Sequence, residues 1–203
     1  MRLFIAVVPP PAAVDELTAA VRPLRRLPDA EPLRWTAPDT WHLTLAFLGE
    51  VAEESLPELE QRLGRAAHRH RVMQLRFAGA GRFGDRTLWT GVRGDTQELR
   101  RLAESAQAAA RHTGLPVDDD RPYRAHLTLA RSSVPRGGND RRRGHGPDLR
   151  GLKTALEDFE GQQWEAADLR LVRSTLGSGP AHYTVLRSWP LDRPADGPPE
   201  PAG

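Results

Sequence analysis

The chain contains the sequence His-Leu-Thr-Leu twice, beginning at His42 and at His126. Side chains of an extended strand alternate between its two faces, so each histidine shares a face with the threonine two residues later, Thr44 or Thr128. Imidazole has a reference pKa of about 6.5 and can donate or accept a proton near neutral pH. Two such strands facing one cleft would offer an acid, a base and two hydroxyls, a set that suits cleavage of a phosphodiester by in-line attack.

One copy alone would indicate little, because a half-buried histidine beside a β-forming threonine is ordinary in a strand. The second copy favours a shared site, since it lies on another predicted strand at a similar place in the other half of the chain. A different histidine pair, His68 and His70, is a weaker candidate for a metal site. Residues two apart on a helix do not face each other, and we interpret this segment as the cationic C-terminus of a helix.

Composition excludes several other chemistries. The 203 residues include no cysteine, which rules out a disulfide scaffold, a zinc–thiolate site, an iron–sulfur cluster and a cysteine nucleophile. Of the 29 basic residues only Lys153 is lysine, and the net charge is +2, so charge alone indicates no particular partner. No apolar run approaches the roughly 18 residues that a membrane span needs. We therefore expect a cytoplasmic protein with no membrane partner, and a monomer by default.

Hydrophobic periodicity divides the chain into strands and helices. The predicted strands cover 2–8, 41–48, 75–83, 87–92, 124–130, 169–175 and 182–189, and the predicted helices cover about 11–26, 53–70, 96–112 and part of 149–159. Asp95 is the expected N-cap of the third helix and Gly114 its stop. Residues 131–151, rich in Gly, Pro and Arg, are predicted to form an exposed loop. Residues 1–190 would form one bilobal domain, and 191–203 a disordered tail.

The order of elements repeats, with a helix, a strand bearing the tetrapeptide and then a strand pair in each half of the chain. The predicted hairpins indicate antiparallel pairing and an α+β fold. Two halves related by a pseudo-twofold axis would place the two polar strand faces across one cleft. We therefore expect two lobes, each an antiparallel sheet with helices outside, around a central cleft.

The sequence resembles the 2H phosphoesterases, a family named for two His-x-Thr motifs. Within that family it is most similar to the bacterial and archaeal RNA 2′,3′-cyclic phosphodiesterases, once described as 2′-5′ RNA ligases. The resemblance covers nearly the whole chain except the tail, and its matching segments are residues 2–7, 41–49, 121–131, 171–174 and 183–191. One departure is Ala125, which stands where the family usually has proline.

The resemblance implies a role for each polar residue of the two motifs. It implies that His42 is the proton donor to the leaving ribose oxygen and that His126 accepts a proton from the attacking water. Thr44, Thr128 and Arg131 would bind the substrate phosphate. The implied reaction hydrolyses RNA ends that carry a 2′,3′-cyclic phosphate to 2′-phosphomonoesters, and it requires no metal and no cofactor.

Some residues keep two interpretations. By strict alternation Arg131 falls on the leucine face, so it reaches the cleft only if its strand ends or twists there. Three aromatic residues, Trp35, Phe47 and Trp89, could stack on a base or lie in the core. Phe47 shares the leucine face of its own strand, which favours the core for that residue. The arginines of 136–145 could contact an RNA backbone or form a solvated loop. The same acid and base could also join RNA ends through a 2′-5′ linkage, and a protein that only binds RNA ends is a further alternative.

Overall fold

In the computed structural model the described residues are 1–117, 122–132, 148–175 and 181–193. Their strands are β1 (Arg2–Val7), β2 (Leu33–Trp35), β3 (Leu43–Glu50), β4 (Met73–Phe83), β5 (Thr87–Gly94), β6 (His126–Ser132), β7 (Trp164–Ala166), β8 (Asp168–Thr175) and β9 (His182–Pro190). Their α-helices are α1 (Pro11–Val21), α2 (Leu56–Ala67), α3 (Thr96–His112) and α4 (Leu149–Leu156). All the predicted elements are present, with α1 and α2 shorter than expected. The three-residue strands β2 and β7 were not predicted, since so short a segment shows no periodicity.

The strands form two sheets in which every pairing of these strands is antiparallel. One sheet has the order β3-β1-β8-β9 and the other the order β2-β6-β5-β4-β7. The first motif enters β3, at the edge of the four-stranded sheet, and the second lies in β6 of the five-stranded sheet. The predicted α+β fold with two antiparallel sheets is therefore confirmed.

The two sheets do not correspond to the two halves of the sequence. The hairpin β4–β5 follows the first motif along the chain but pairs with β6, the strand of the second motif. The strand pair β8–β9 follows the second motif but joins β1, the neighbour of β3. Each motif strand thus shares its sheet with the hairpin from the other half of the chain. This exchange ties the two sheets together through the covalent chain.

One hydrophobic core lies between the sheets and the helices. The leucines that follow each histidine are all buried, as the alternating pattern predicted. Helix α2 packs on β8 and β9, helices α1 and α4 pack on β4, and α3 contacts both β3 and β4. Because α3 touches a strand of each sheet, its buried face, which includes Leu99, Leu102 and Ala106, helps to fix their relative position.

The ends of α3 agree only in part with the sequence prediction. Gly114 follows the helix with φ of +75°, the left-handed conformation that a glycine stop provides. Asp95 precedes the helix, but its carboxylate does not cap it. Instead it accepts a hydrogen bond of 3.0 Å from the backbone N–H of Gln74 in β4. The aspartate therefore links the helix start to the sheet.

The C-terminal boundary of the domain lies beyond residue 190. Leu191 is 4% exposed within the core, and Asp192 exchanges backbone hydrogen bonds with His70 and Val72. The described domain therefore includes the first three residues of the predicted tail, and residues 194–203 lie outside the described residues. Most of the predicted loop, residues 133–147, also lies outside them, whereas 131–132 belong to β6 and 149–151 to α4. No helix in the described ranges is long and apolar enough to span a lipid bilayer.

Candidate active site

Strand β3 contains a bulge at the second leucine of the first motif. In its pairing with β1, Ala46 lies opposite Ile5 and Thr44 lies opposite Ala6, so Leu45 has no opposite residue. Leu45 and Ala46 are both buried, which breaks the strict alternation of the strand. After such a bulge the side chains that follow change face, here as far as a second irregularity at Leu48. Phe47 therefore lies on the same face as Thr44, where it is 59% exposed.

Strand β6 repeats this bulge at the same position of the second motif. In its pairing with β5, Ala130 lies opposite Leu88 and Thr128 lies opposite Trp89, so Leu129 is the extra residue. Leu129 and Ala130 are both buried and Arg131 is exposed. The bulge thus brings Arg131 onto the face of His126 and Thr128.

The two bulges explain the outcome of two predictions made from the sequence, those for Arg131 and Phe47. Arg131 reaches the cleft although strict alternation would direct it into the core. The expectation that Phe47 belongs to the core is wrong, because the bulge at Leu45 moves its ring into the cleft. A bulge depends on the register between strands, and the hydrophobic pattern of one strand does not contain that information.

The two histidines are held in the same way. The His42 Nδ1 atom lies 2.7 Å from the carbonyl oxygen of Thr40, and the His126 Nδ1 atom lies 2.8 Å from that of Arg124. A carbonyl oxygen can only accept, so Nδ1 carries a proton and donates in both cases. The neutral imidazoles therefore keep an unprotonated Nε2, ready to accept a proton, and the cationic forms donate from the same atom.

Aromatic rings enclose the first histidine. The His42 ring stacks on Phe4 with centroids 4.6 Å apart and meets the edge of Tyr183 at 5.3 Å. This burial lowers the pKa of His42 below its ordinary value, although the hydrogen bond to the Thr40 carbonyl favours the cation. The positive charge of Arg131 lowers this pKa further, as does the neighbouring His126.

Aromatic rings and guanidinium groups surround the second histidine. The His126 ring lies edge-on to Phe83 at 4.9 Å and to Trp89 at 6.0 Å. Burial lowers the pKa of His126 below its ordinary value, and the positive charges of Arg131 and Arg124 act in the same direction. Both imidazoles therefore favour the neutral form when the cleft holds no anion.

One cleft of about 850 Å³ is lined by all the predicted site residues: His42, Thr44, His126, Thr128 and Arg131. No hydrogen bond between described residues uses either threonine hydroxyl. The cleft therefore combines two imidazoles, two hydroxyls open to a ligand and a guanidinium. Such donors can hold the non-bridging oxygens of a phosphate while one imidazole accepts and the other donates a proton.

The other two aromatic candidates for base stacking, Trp35 and Trp89, do not present an open ring face to the cleft. Trp35 does not line the cleft, and its ring is covered by the guanidinium of Arg25 at 5.3 Å. Trp89 is 6% exposed and lies beneath Arg124, so its ring faces are not open for stacking. The predicted arginine-rich segment 136–145 lies outside the described residues.

The remaining histidine pair has no part in the cleft. His68 and His70 follow the end of α2, and the Nε2 atom of His70 lies 2.8 Å from the Ser105 hydroxyl oxygen. That contact joins the end of α2 to α3.

Sequence reasoning missed several residues that shape the cleft: Phe4, Thr36, Phe83, Gln107 and Tyr183. Thr36 connects the two motifs. The indole N–H of Trp41, the residue before His42, donates to the Thr36 hydroxyl at 2.8 Å. That hydroxyl oxygen lies 2.8 Å from the Thr128 carbonyl oxygen and 2.9 Å from the Leu129 carbonyl oxygen, and these two acceptors share its proton. Only the tertiary pairing of β2 with β6 reveals this link, and nothing local in the sequence indicates it.

Comparisons with known proteins identify relatives of this chain. Residues 7–93 match the family model of the LigT-like phosphoesterases. A protein of Archaeoglobus fulgidus named RNA 2′,3′-cyclic phosphodiesterase is 35% identical over 192 residues, which cover 92% of this chain and 98% of the relative. Proteins with the same name from Thermus thermophilus and Escherichia coli are 32% and 29% identical, and their matches cover 94% of this chain and 90% and 96% of the relatives.

Solved structures share the fold over the same length. The crystal structure of a Thermus thermophilus protein matches with a TM-score of 0.72 at 28% identity and covers 94% of this chain and 98% of its own. Escherichia coli LigT complexed with 3′-AMP matches with a TM-score of 0.72 at 27% identity, over 94% and 97% of the two chains. Since sequence identity and fold agree over 92% and 94% of the chain, it belongs to the LigT-like phosphoesterase family, within the 2H phosphoesterases.

Proposed function

We propose that the protein hydrolyses the 2′,3′-cyclic phosphate at RNA ends to a 2′-phosphomonoester, without a metal ion. The observation that carries this proposal is the pair of imidazoles, His42 and His126, which line one cleft with their Nδ1 atoms tied to backbone carbonyls. Family membership and the name shared by the relatives support the choice of substrate.

In the proposed mechanism His126 accepts a proton from water on its Nε2 atom while the water oxygen attacks phosphorus. The bond between phosphorus and the ribose 3′ oxygen breaks, and the Nε2–H of His42 protonates the leaving oxygen. The phosphate stays on the 2′ oxygen, and a 3′ hydroxyl is formed. Thr44, Thr128 and Arg131 stabilise the charge on the non-bridging oxygens.

Burial lowers the pKa of both histidines in the free protein, and the positive charge of Arg131 lowers both further. The guanidinium of Arg124 adds to this effect at His126 and favours its neutral, basic form. A bound phosphate anion opposes these positive charges at both imidazoles, so one of them can hold the proton that the leaving oxygen needs. The family resemblance assigns that proton to His42.

The test is to incubate the protein in EDTA with an oligonucleotide that ends in a 2′,3′-cyclic phosphate and to identify the product. We expect a 2′-phosphate and a 3′ hydroxyl. A 3′-phosphate would contradict the direction of cleavage, and joined ends would indicate 2′-5′ ligation. Binding without turnover would support an RNA-end binding protein instead.

A further inference from the structure

A second cavity of about 570 Å³ adjoins the cleft on the same face of the five-stranded sheet. Tyr123 and Arg124 line both cavities, so the two meet at these residues. Gly91 lies on the floor of the second cavity and directly opposite His126 in the strand pairing, and paired residues share a face. We call this cavity the β5 groove, and it begins beside the second histidine.

Beside His126 the floor of the β5 groove has no side chain, because the residue there is Gly91. Gly91 pairs with Ala78 on its other side, and a Cβ atom added at Gly91 would lie 2.8 Å from the Ala78 carbonyl oxygen. Arg93 stands two residues further along β5, about 7 Å beyond Gly91 at the usual rise of a strand. An extended chain that leaves the cleft at Arg124 therefore meets a gap at Gly91, between the side chains of Trp89 and Arg93.

Guanidinium groups line the β5 groove. The Arg124 guanidinium lies 4.6 Å from the ring of Trp89, and no ion pair within the described ranges involves it. Arg93 lies 3.0 Å from Glu160, but Arg76 shares the same carboxylate at 2.7 Å, so two cations face one anion. The groove therefore presents positive charge beyond what these carboxylates neutralise.

The third cation, Arg100 on α3, forms an exposed ion pair of 2.9 Å with Glu104 in the same helix. Exposed pairs of this kind contribute little to stability, so the guanidinium can turn to another anion at small cost. Thr96 and Gln97, at the start of α3, add a hydroxyl and an amide to the same wall. Guanidinium, hydroxyl and amide groups suit the phosphates and 2′ hydroxyls of RNA.

We infer that the β5 groove binds the single-stranded RNA immediately 5′ of the cyclic phosphate. This inference rests on the proposed function, because it assumes that the cleft holds the terminal nucleotide. A nucleotide with nothing attached to its 5′ oxygen fills the cleft alone, whereas an oligonucleotide places its next phosphates between Arg124, Arg93 and Arg100. The groove thus gives the enzyme a preference for RNA ends over mononucleotides that does not depend on base sequence.

The test compares two substrates with the double variant Arg93→Glu/Arg100→Glu. We expect its kcat/KM for a tetranucleotide ending in a 2′,3′-cyclic phosphate to fall roughly tenfold and its salt dependence to weaken by about 1.4 in the log–log slope, the amount for two lost contacts with a single strand. Turnover of a 2′,3′-cyclic mononucleotide should stay unchanged. The matched control is Arg62→Glu/Arg187→Glu, because these arginines form ion pairs with Glu58 and Glu60 on α2 and line neither cavity.

An equal loss with both substrates, or an equal effect of the control variant on the tetranucleotide, would overturn the inference. The charge-neutral pair Arg93→Gln/Arg100→Gln, with its melting temperature measured, separates lost contacts from damage to the fold. Binding of a labelled tetraribonucleotide, measured by fluorescence anisotropy, tests the groove independently of the proposed function. If the wild type binds it more tightly than the double variant but hydrolyses neither substrate, the proposed function fails and the groove stands.

Discussion

Phe47 and Arg131 occupy equivalent positions in the two motif strands. Each follows its histidine by five residues, and a bulge at the second leucine of the motif brings each onto the cleft face. The two halves of the cleft therefore share a backbone plan but present different side chains. The five-stranded sheet contributes a cation where the four-stranded sheet contributes an aromatic ring, so the two sides suit different parts of one ligand, the phosphate and a base.

Replacing Arg131 should change both the rate and the pH dependence. Arg131→Gln removes a proposed donor to the phosphate, and we expect kcat/KM to fall about 100-fold. The guanidinium lowers the pKa of both histidines, so its removal raises both values and moves the kcat/KM profile to higher pH. Rates measured across the pH range test this. A loss of rate with an unmoved profile would show that Arg131 does not act on the imidazoles.

Replacing Phe47 should affect substrate binding but not stability. The ring is 59% exposed, so Phe47→Ala should change the free energy of unfolding by less than about 0.5 kcal/mol. Loss of a stacking surface for a base should raise KM roughly tenfold. The control is Phe77→Ala, since Phe77 is 2% exposed and its truncation should cost about 3–5 kcal/mol. Equal destabilisation by both variants in urea denaturation would contradict the assignment of Phe47 to the cleft.

The lowered pKa values of the histidines predict where the enzyme works best. The proposed mechanism needs one neutral and one protonated imidazole, and burial lowers the pKa of both His42 and His126 in the free protein. The optimum of kcat/KM should therefore lie below the ordinary histidine value of about 6.5. A bound phosphate anion favours the cationic imidazole, so the optimum of kcat should lie at higher pH than that of kcat/KM.

Variants of the two histidines test the same scheme. His42→Ala should abolish the limb of the bell-shaped kcat/KM profile against pH that reports the acid. His126→Ala should abolish the limb that reports the base. Each should lower the rate by between about 100-fold and 10,000-fold. Near-normal turnover by either variant would show that the pair does not carry the reaction.

The sequence predicted what depends on local pattern. Alternation of the leucines after His42 and His126 gave the two motif strands and their buried faces, and the elements followed from periodicity. The alternating pattern could not predict that Arg131 on β6 and Phe47 on β3 both face the cleft, because a bulge is a property of two paired strands. Nor could it predict that β4–β5 joins β6 and that β8–β9 joins β1, since pairing between distant strands leaves no local signal. Thr36 was missed for the same reason.

Thr36 offers the sharpest test of how the two motifs are held together. Its hydroxyl accepts from the Trp41 indole, and its single proton is shared between the carbonyls of Thr128 and Leu129. The hydroxyl therefore joins the residue before the first histidine to the bulge after the second. Thr36→Val keeps the shape of the side chain but leaves the indole N–H, on a residue only 3% exposed, without its acceptor. We expect a loss of about 1–3 kcal/mol in the free energy of unfolding.

Catalysis should respond separately from stability in this variant. Because this hydroxyl joins the two motifs, we expect it to fix the spacing of the two imidazoles. Thr36→Val should then lower kcat more than it raises KM, at a temperature where the protein stays folded. Thr36→Ser keeps the hydroxyl and should restore most of both properties. Steady-state kinetics alongside thermal unfolding measure the two effects. If Thr36→Val loses stability but keeps a normal kcat, the hydroxyl serves the fold alone and does not set the distance between the histidines.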